Sequence, residues 1–158
     1  MSETTEIVKI KEKILKKIKN HALRGYQQDS SEVIGYLLGR FKNKSIEIHD
    51  IVIPEQKTTN VHAEITDERA LVEYLQKNSN QNVHVGWYHS HPNIGCFLSN
   101  TDISTQKYWQ RVNYRMVAIV IDPVKKDIKA FRFQKSDNSG KRKRNLELRK
   151  SRILFRQS

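Results

Sequence analysis

The run Gly86-Trp87-Tyr88-His89-Ser90-His91-Pro92, followed by Ser99 and Asp102, holds a dense set of groups able to bind a metal or move a proton. On a strand, residues two apart point to the same side, so His89 and His91 can converge on one point. Two imidazoles and a carboxylate form a common catalytic zinc set, because three protein ligands leave the fourth tetrahedral position for water. Asp102 supplies the carboxylate if the 92–101 loop folds back and brings a helix start beside the strand end. Zinc there would lower the pKa of its bound water toward ~7. A base must still take the water's proton, and Glu32 qualifies if the run Val33–Leu38 neighbours Val83–Tyr88. A plainer reading stands beside this one. His-x-His is common on strands that do no chemistry, and Ser99-x-x-Asp102 also reads as a helix capping box. No His-Glu-x-x-His, no Cys-x-x-Cys and no deaminase signature is present. Spacing alone leaves the metal and structural readings level.

The elements that must position these residues follow from hydrophobic periodicity. Ile10, Ile14, Leu15, Ile18 and Ala22 share one face of a predicted helix over 9–24, with its lysines mostly on the other face. Val33–Gly39 reads as a buried strand. Ser45–Ile53 reads as a second, reached through the turn Lys42-Asn43-Lys44 and stopped by Pro54. Ala70, Leu71, Tyr74 and Leu75 predict a helix over 67–78 with Thr66 as N-cap. Strands are expected at Val83–Tyr88, Met116–Ile121 (ended by Asp122-Pro123) and Ile128–Phe133, with a helix over Ile103–Val112 opening near Thr101-Asp102. The order predicts a mixed α/β or α+β domain around a central sheet. Beyond the turn signal at 136–140, Leu146, Leu148, Ile153, Leu154 and Phe155 are expected to line a short helix.

The 158 residues suit one domain. A single cysteine points to a reducing compartment, and neither a secretory leader nor an apolar run near the ~20 residues of a membrane span is readable. The net charge of +12 suggests an anionic partner, yet it is unevenly placed. Residues 9–24 carry seven cations and one acid, residues 135–158 nine cations and two acids, and the remainder is close to neutral.

His89-x-His91-Pro92, Ser99 and Asp102 match the JAMM motif of the MPN+ metalloproteases in order and spacing, and Glu32–Gly39 resembles that family's upstream glutamate segment. The run Gly86–Gln106 is most similar to the branches found in the proteasome lid and the signalosome. The resemblance extends from about Ile7 to Phe133. It implies an MPN/JAMM fold of cytidine-deaminase-like type, a central mixed sheet flanked by helices. It also implies Zn2+ held by His89, His91 and Asp102, with Glu32 as general base and then acid toward the leaving amine, and Ser99 as an oxyanion donor. The implied activity is hydrolysis of the amide between the C-terminus of ubiquitin, or a ubiquitin-like protein, and a lysine side chain. The segment Lys57–Ile65 then borders the groove for the modifier's tail, while Cys96 and the remaining histidines (His21, His49, His62 and His84) are structural or surface residues.

The expected organisation is a catalytic domain over 1–134 and a basic tail over 135–158, where the similar enzymes continue into long helices. Expected partners are ubiquitin or a ubiquitin-like protein and a proteasome-type assembly. Nucleic acid at the basic tail is a secondary expectation, and no membrane partner is expected. The expected location is the cytoplasm, or also the nucleus in a eukaryote. Two alternatives stand: processing of a ubiquitin-like or sulfur-carrier precursor, and an inactive MPN scaffold with a nucleic-acid-binding tail.

Overall fold

The computed structural model describes residues 6–135 and 141–151. In chain order the elements are β1 (Ile7–Lys11), α1 (Glu12–Asp29), β2 (Ile34–Lys42), β3 (Ser45–Val52), β4 (Glu55–Thr58), β5 (Ala63–Asp67), α2 (Arg69–Lys77), β6 (Val83–Ser90), α3 (Asn100–Val112), β7 (Val117–Asp122), β8 (Asp127–Lys135) and β9 (Lys141–Ser151). Seven strands close into a mixed barrel in the order β1-β3-β2-β6-β7-β8-β9, and β4-β5 form a separate hairpin.

Alternation along the strands divides the core in two. Val117, Ile119 and Ile121 of β7 face a cluster built with Ile14, Leu15, Ile18 and Ala22 of α1, Val8 and Ile10 of β1, and Ile46 and Ile48 of β3. Ala118 and Val120 face the opposite way, toward Ile34, Trp87, Phe131 and Phe133, where Ile103 and Trp109 of α3 pack. With helices on both sides, β7 is buried along its whole length, which is why it reads as an unbroken apolar run.

Three expectations change. The predicted helix over 9–24 begins only at Glu12, because Val8 and Ile10 follow a period of two and insert into the barrel as β1. Ile10 is in phase with both patterns, so helical spacing alone hid the strand. Residues 141–151 form β9 rather than a helix. They pair antiparallel with β8 and parallel with β1, with Leu146 buried between exposed Asn145 and Glu147. Ile153, Leu154 and Phe155 lie outside the described residues. Thr66 belongs to β5, and α2 starts after Glu68 without a side-chain cap.

Two features of the frame place the site. Helix α1 ends on Ser30 in the left-handed conformation (φ 57°), with the Ser30 and Ser31 amides donating to the Tyr26 and Gly25 carbonyls just ahead of Glu32. Strands β2 and β6 pair antiparallel with Ile34 opposite His89, the adjacency that the Glu32 assignment requires.

Candidate metal centre

His89 is next to last in β6 and His91 directly follows its end, both almost fully buried. Asp102 is the third residue of α3, and its side chain turns back to them. The His89 Nε2, His91 Nε2 and Asp102 Oδ2 atoms lie 2.7–3.0 Å from one another. The capping box is present as well: the Asp102 amide donates to Ser99 Oγ at 3.2 Å, and the Ser99 amide donates to Asp102 Oδ2 at 3.0 Å. The two readings of Ser99-x-x-Asp102 are therefore compatible. The cap fixes the carboxylate that faces the imidazoles.

This donor set can coordinate a metal ion. A tetrahedral zinc with bonds of ~2.0–2.1 Å needs donors about 3.3 Å apart, a few tenths of an ångström beyond the spacing here. Two imidazole nitrogens 2.9 Å apart can share at most one proton between them, so their mutual approach favours a cation between the rings. His91 Nδ1 donates to the Gly95 carbonyl at 3.3 Å, which turns Nε2 toward the cluster. The His89 ring stacks on Trp87, with centroids 4.7 Å apart and planes 15° from parallel. Trp87 Nε1 in turn donates to Gln106 Oε1 at 2.8 Å. Gln106 continues to Gln110 and the Met116 carbonyl, and Gln110 to the Phe133 backbone, so α3 is bolted to the sheet behind His89.

Electrostatics follow from this packing. Burial works to raise the Asp102 carboxyl, but bonds from both histidines and from Ser99 outweigh it and hold the group well below the usual carboxylate range. Burial lowers His89. In His91 the same penalty is overcome by Asp102 and Glu32, so its net shift is upward.

Glu32 lines the same cleft as His89, Ser99 and Asp102, a space of about 360 Å³ whose other walls include Ile65, Trp109, Thr105 and Tyr108. Burial pushes its carboxyl up to about 7, with His91 opposing and Asp102 adding to the rise. Its backbone is fixed from two sides. The Val33 amide donates to Ser90 Oγ at 2.8 Å, and the Ser90 amide donates to the Val33 carbonyl at 3.0 Å. The Glu32 amide donates to the Thr59 carbonyl at 2.8 Å, and Gln56 bonds both polar groups of the Ile34 backbone. The β4–β5 hairpin is thereby fastened to the strand that carries Glu32, and Val61, His62 and Ala63 form the cleft rim.

Sequence reasoning passed over Ser90, Gln56, Thr59 and Gln106, whose work is done on backbone groups or through an indole. Only Ser90 carried a signal: standing between two histidines that converge on one side, its side chain must point to the other face. Among the other histidines, His21 bonds the Tyr88 hydroxyl at 2.6 Å on the α1 side of the sheet, and His49 contacts Glu47 and Asn82. His84 packs against Tyr36 and Trp109, whereas His62 lines the cleft. The Cys96 thiol is pushed up to about 11, mainly by burial, which leaves it a packing residue. Among the described residues no helix is long and apolar enough to cross a membrane.

Residues 3–115 match the family described as JAB1/Mov34/MPN/PAD-1 ubiquitin protease. The chain is 35% identical over 126 residues to the 26S proteasome regulatory subunit RPN11 of Candida glabrata, covering 77% of this chain and 40% of that protein. The same figures hold for the ubiquitin carboxyl-terminal hydrolase RPN11 of Saccharomyces cerevisiae. The RPN11 subunit of Encephalitozoon cuniculi is 36% identical over 127 residues, 78% of this chain and 42% of that protein. The chain thus spans about two fifths of the length of these curated relatives.

Proposed function

This chain belongs to the JAB1/Mov34/MPN/PAD-1 family and has its metalloprotease architecture, and from that premise we propose that it is a zinc-dependent isopeptidase. Its substrate is the amide joining the C-terminus of ubiquitin, or of a ubiquitin-like protein, to a lysine side chain. The observation that carries this reading is the convergence of three buried donor atoms in a cleft that Glu32 also lines.

His89, His91 and Asp102 would hold the zinc, which would supply Lewis acidity and an activated water at neutral pH. Glu32, with a carboxyl near 7, takes a proton at neutral pH and returns it to the leaving lysine amine. The Ser99 Oγ uses one lone pair to cap α3, so its hydroxyl hydrogen is free to donate to the oxyanion as the carbonyl carbon becomes tetrahedral. The modifier's extended tail lies along the β4–β5 rim, where strand addition provides affinity through backbone bonds. A proteasome-type assembly is the partner context, by analogy with the names of the relatives.

Glu32→Gln tests the assignment. With lysine-linked ubiquitin dimers as substrate, the variant should retain zinc and lose ~10²–10⁴-fold in kcat. Near-normal turnover by the zinc-loaded variant removes Glu32 from the mechanism.

A further inference from the structure

Asp122 ends β7 at the turn into β8 and has no exposed surface. Its Oδ1 accepts from the backbone amides of Asn93 at 2.9 Å, Val124 at 2.9 Å and Lys125 at 3.0 Å, and its Oδ2 accepts from Gly95 at 2.8 Å. The Val124 and Lys125 bonds are those of an ordinary Asx-type turn. The other two reach across to the loop that follows His91. There Asn93 and Gly95 both adopt left-handed conformations, with φ of 66° and 88°. The Gly95 carbonyl is the acceptor for His91 Nδ1. One chain of contacts therefore runs from the Asp122 carboxylate to the Gly95 N–H, across the Gly95 Cα, and from the Gly95 carbonyl to the His91 ring.

We infer that Asp122 is a positioning residue for the metal centre: by anchoring the Gly95 backbone at its N–H, it places the Gly95 carbonyl that accepts from His91 Nδ1 and so turns Nε2 toward the metal. The inference rests on the proposed reading of His91 as a metal ligand. Partners that orient a ligand from behind are commonly worth 10–100-fold in metal affinity.

Asp122→Asn is the informative substitution, because an amide keeps only one acceptor. Turning its oxygen toward the three donors at the Oδ1 position sets the NH2 group against the Gly95 amide. The opposite orientation sets it against three donors. The variant should therefore release Gly95 and keep the turn. In the metal-free full chain, 1H–15N NMR should show the Gly95 amide, which is held by Asp122 in wild type, exchanging its hydrogen with solvent markedly faster in the variant. Titration with Co2+, followed by visible absorption, should show ~10–100-fold weaker binding than wild type. Leu146→Ala, which leaves a cavity in the barrel away from the cleft, should lower stability and leave both readouts unchanged.

A wild-type Gly95 exchange rate and Co2+ affinity in Asp122→Asn overturn the inference, as does equal weakening by Leu146→Ala. Failure of the wild-type chain to bind Co2+ would instead overturn the ligand assignment, while the Gly95 exchange rate would still decide whether Asp122 holds the loop behind His91. Should Asp122→Asn not fold, Gly95→Ala makes the same test. An alanine Cβ there meets nothing within 4 Å, so the substitution acts only through the left-handed backbone, and the same two changes are expected.

Discussion

Ser90→Ala isolates the hydrogen bond that joins the strand of the proposed base to the strand of the proposed ligands. Ser90 is wholly buried and Val33 nearly so, and the Val33 amide has Ser90 Oγ as acceptor at 2.8 Å. Alanine removes the acceptor, leaves the methylene and admits no water, so the amide loses its partner in a dry setting. That costs about 1–3 kcal/mol. A domain of this length shifts by ~2–4 °C per kcal/mol, so thermal unfolding should move down by about 2–12 °C. The effect on rate should be smaller than that of removing a catalytic group. A misplacement of about 1 Å costs ~10²-fold, but the Thr59 carbonyl and Gln56 still hold the Glu32–Ile34 backbone. A drop in kcat of about tenfold with KM unchanged is expected. The assay is thermal and denaturant unfolding of the metal-free chain, paired with steady-state cleavage by the zinc-loaded one. An unchanged midpoint at unchanged m-value would refute the argument, because Val33 would then have another acceptor. A loss of kcat as large as that of Glu32→Gln would show that Ser90 does more than hold a strand.

His21 provides a pH test. Burial and nearby Arg24 lower its pKa to about 4 in the folded chain, whereas the unfolded chain takes up the proton near the ordinary value of about 6.5. The unfolded state binds more protons between these values, so stability should fall as pH drops from about 6.5 to about 4, by up to ~3 kcal/mol. The stability curves of wild type and His21→Gln should diverge through that window, and parallel curves would contradict the assignment. Gly39→Ala probes the bulge where β2 passes β3. An added Cβ would lie 1.7 Å from the Glu47 carbonyl oxygen, a backbone atom that cannot rotate away. The expected loss is at the upper end of the ~1–3 kcal/mol range for overpacking, read by chemical denaturation, and a neutral substitution would refute the close approach.

What was legible in the sequence was whatever rests on side chains burying apolar surface or carrying charge. β2, β6 and β7 are apolar runs because helices or the hairpin cover their outer faces, and α3 announced itself through Ser99 and Asp102. β1 was hidden because it runs into α1 without a break, and β9 because its outward positions are so densely charged that Leu146 and Leu148 looked like a helix stripe. The β4–β5 hairpin has too few apolar positions to alternate visibly, and the bond between Thr59 and Glu32 that places it is backbone to backbone. Asp122 looked like a strand terminator beside Pro123, although its carboxylate reaches the loop that carries Gly95. Side-chain identity reveals donors and bases, but not which backbone amides they hold. The charge also has a different place from the one expected. Lys9 of β1 stands opposite Arg149 of β9, so described parts of the two basic flanks meet on the barrel wall.

The most direct test of the central claim is cleavage of a lysine-linked ubiquitin dimer by the full chain after chelation and after zinc is restored. Activity should vanish with the chelator, return with one equivalent of zinc, and fail to return in His89→Ala or Asp102→Ala. Cleavage that persists in the chelator, or that zinc restores equally well in both variants, would contradict a metal centre built from His89, His91 and Asp102.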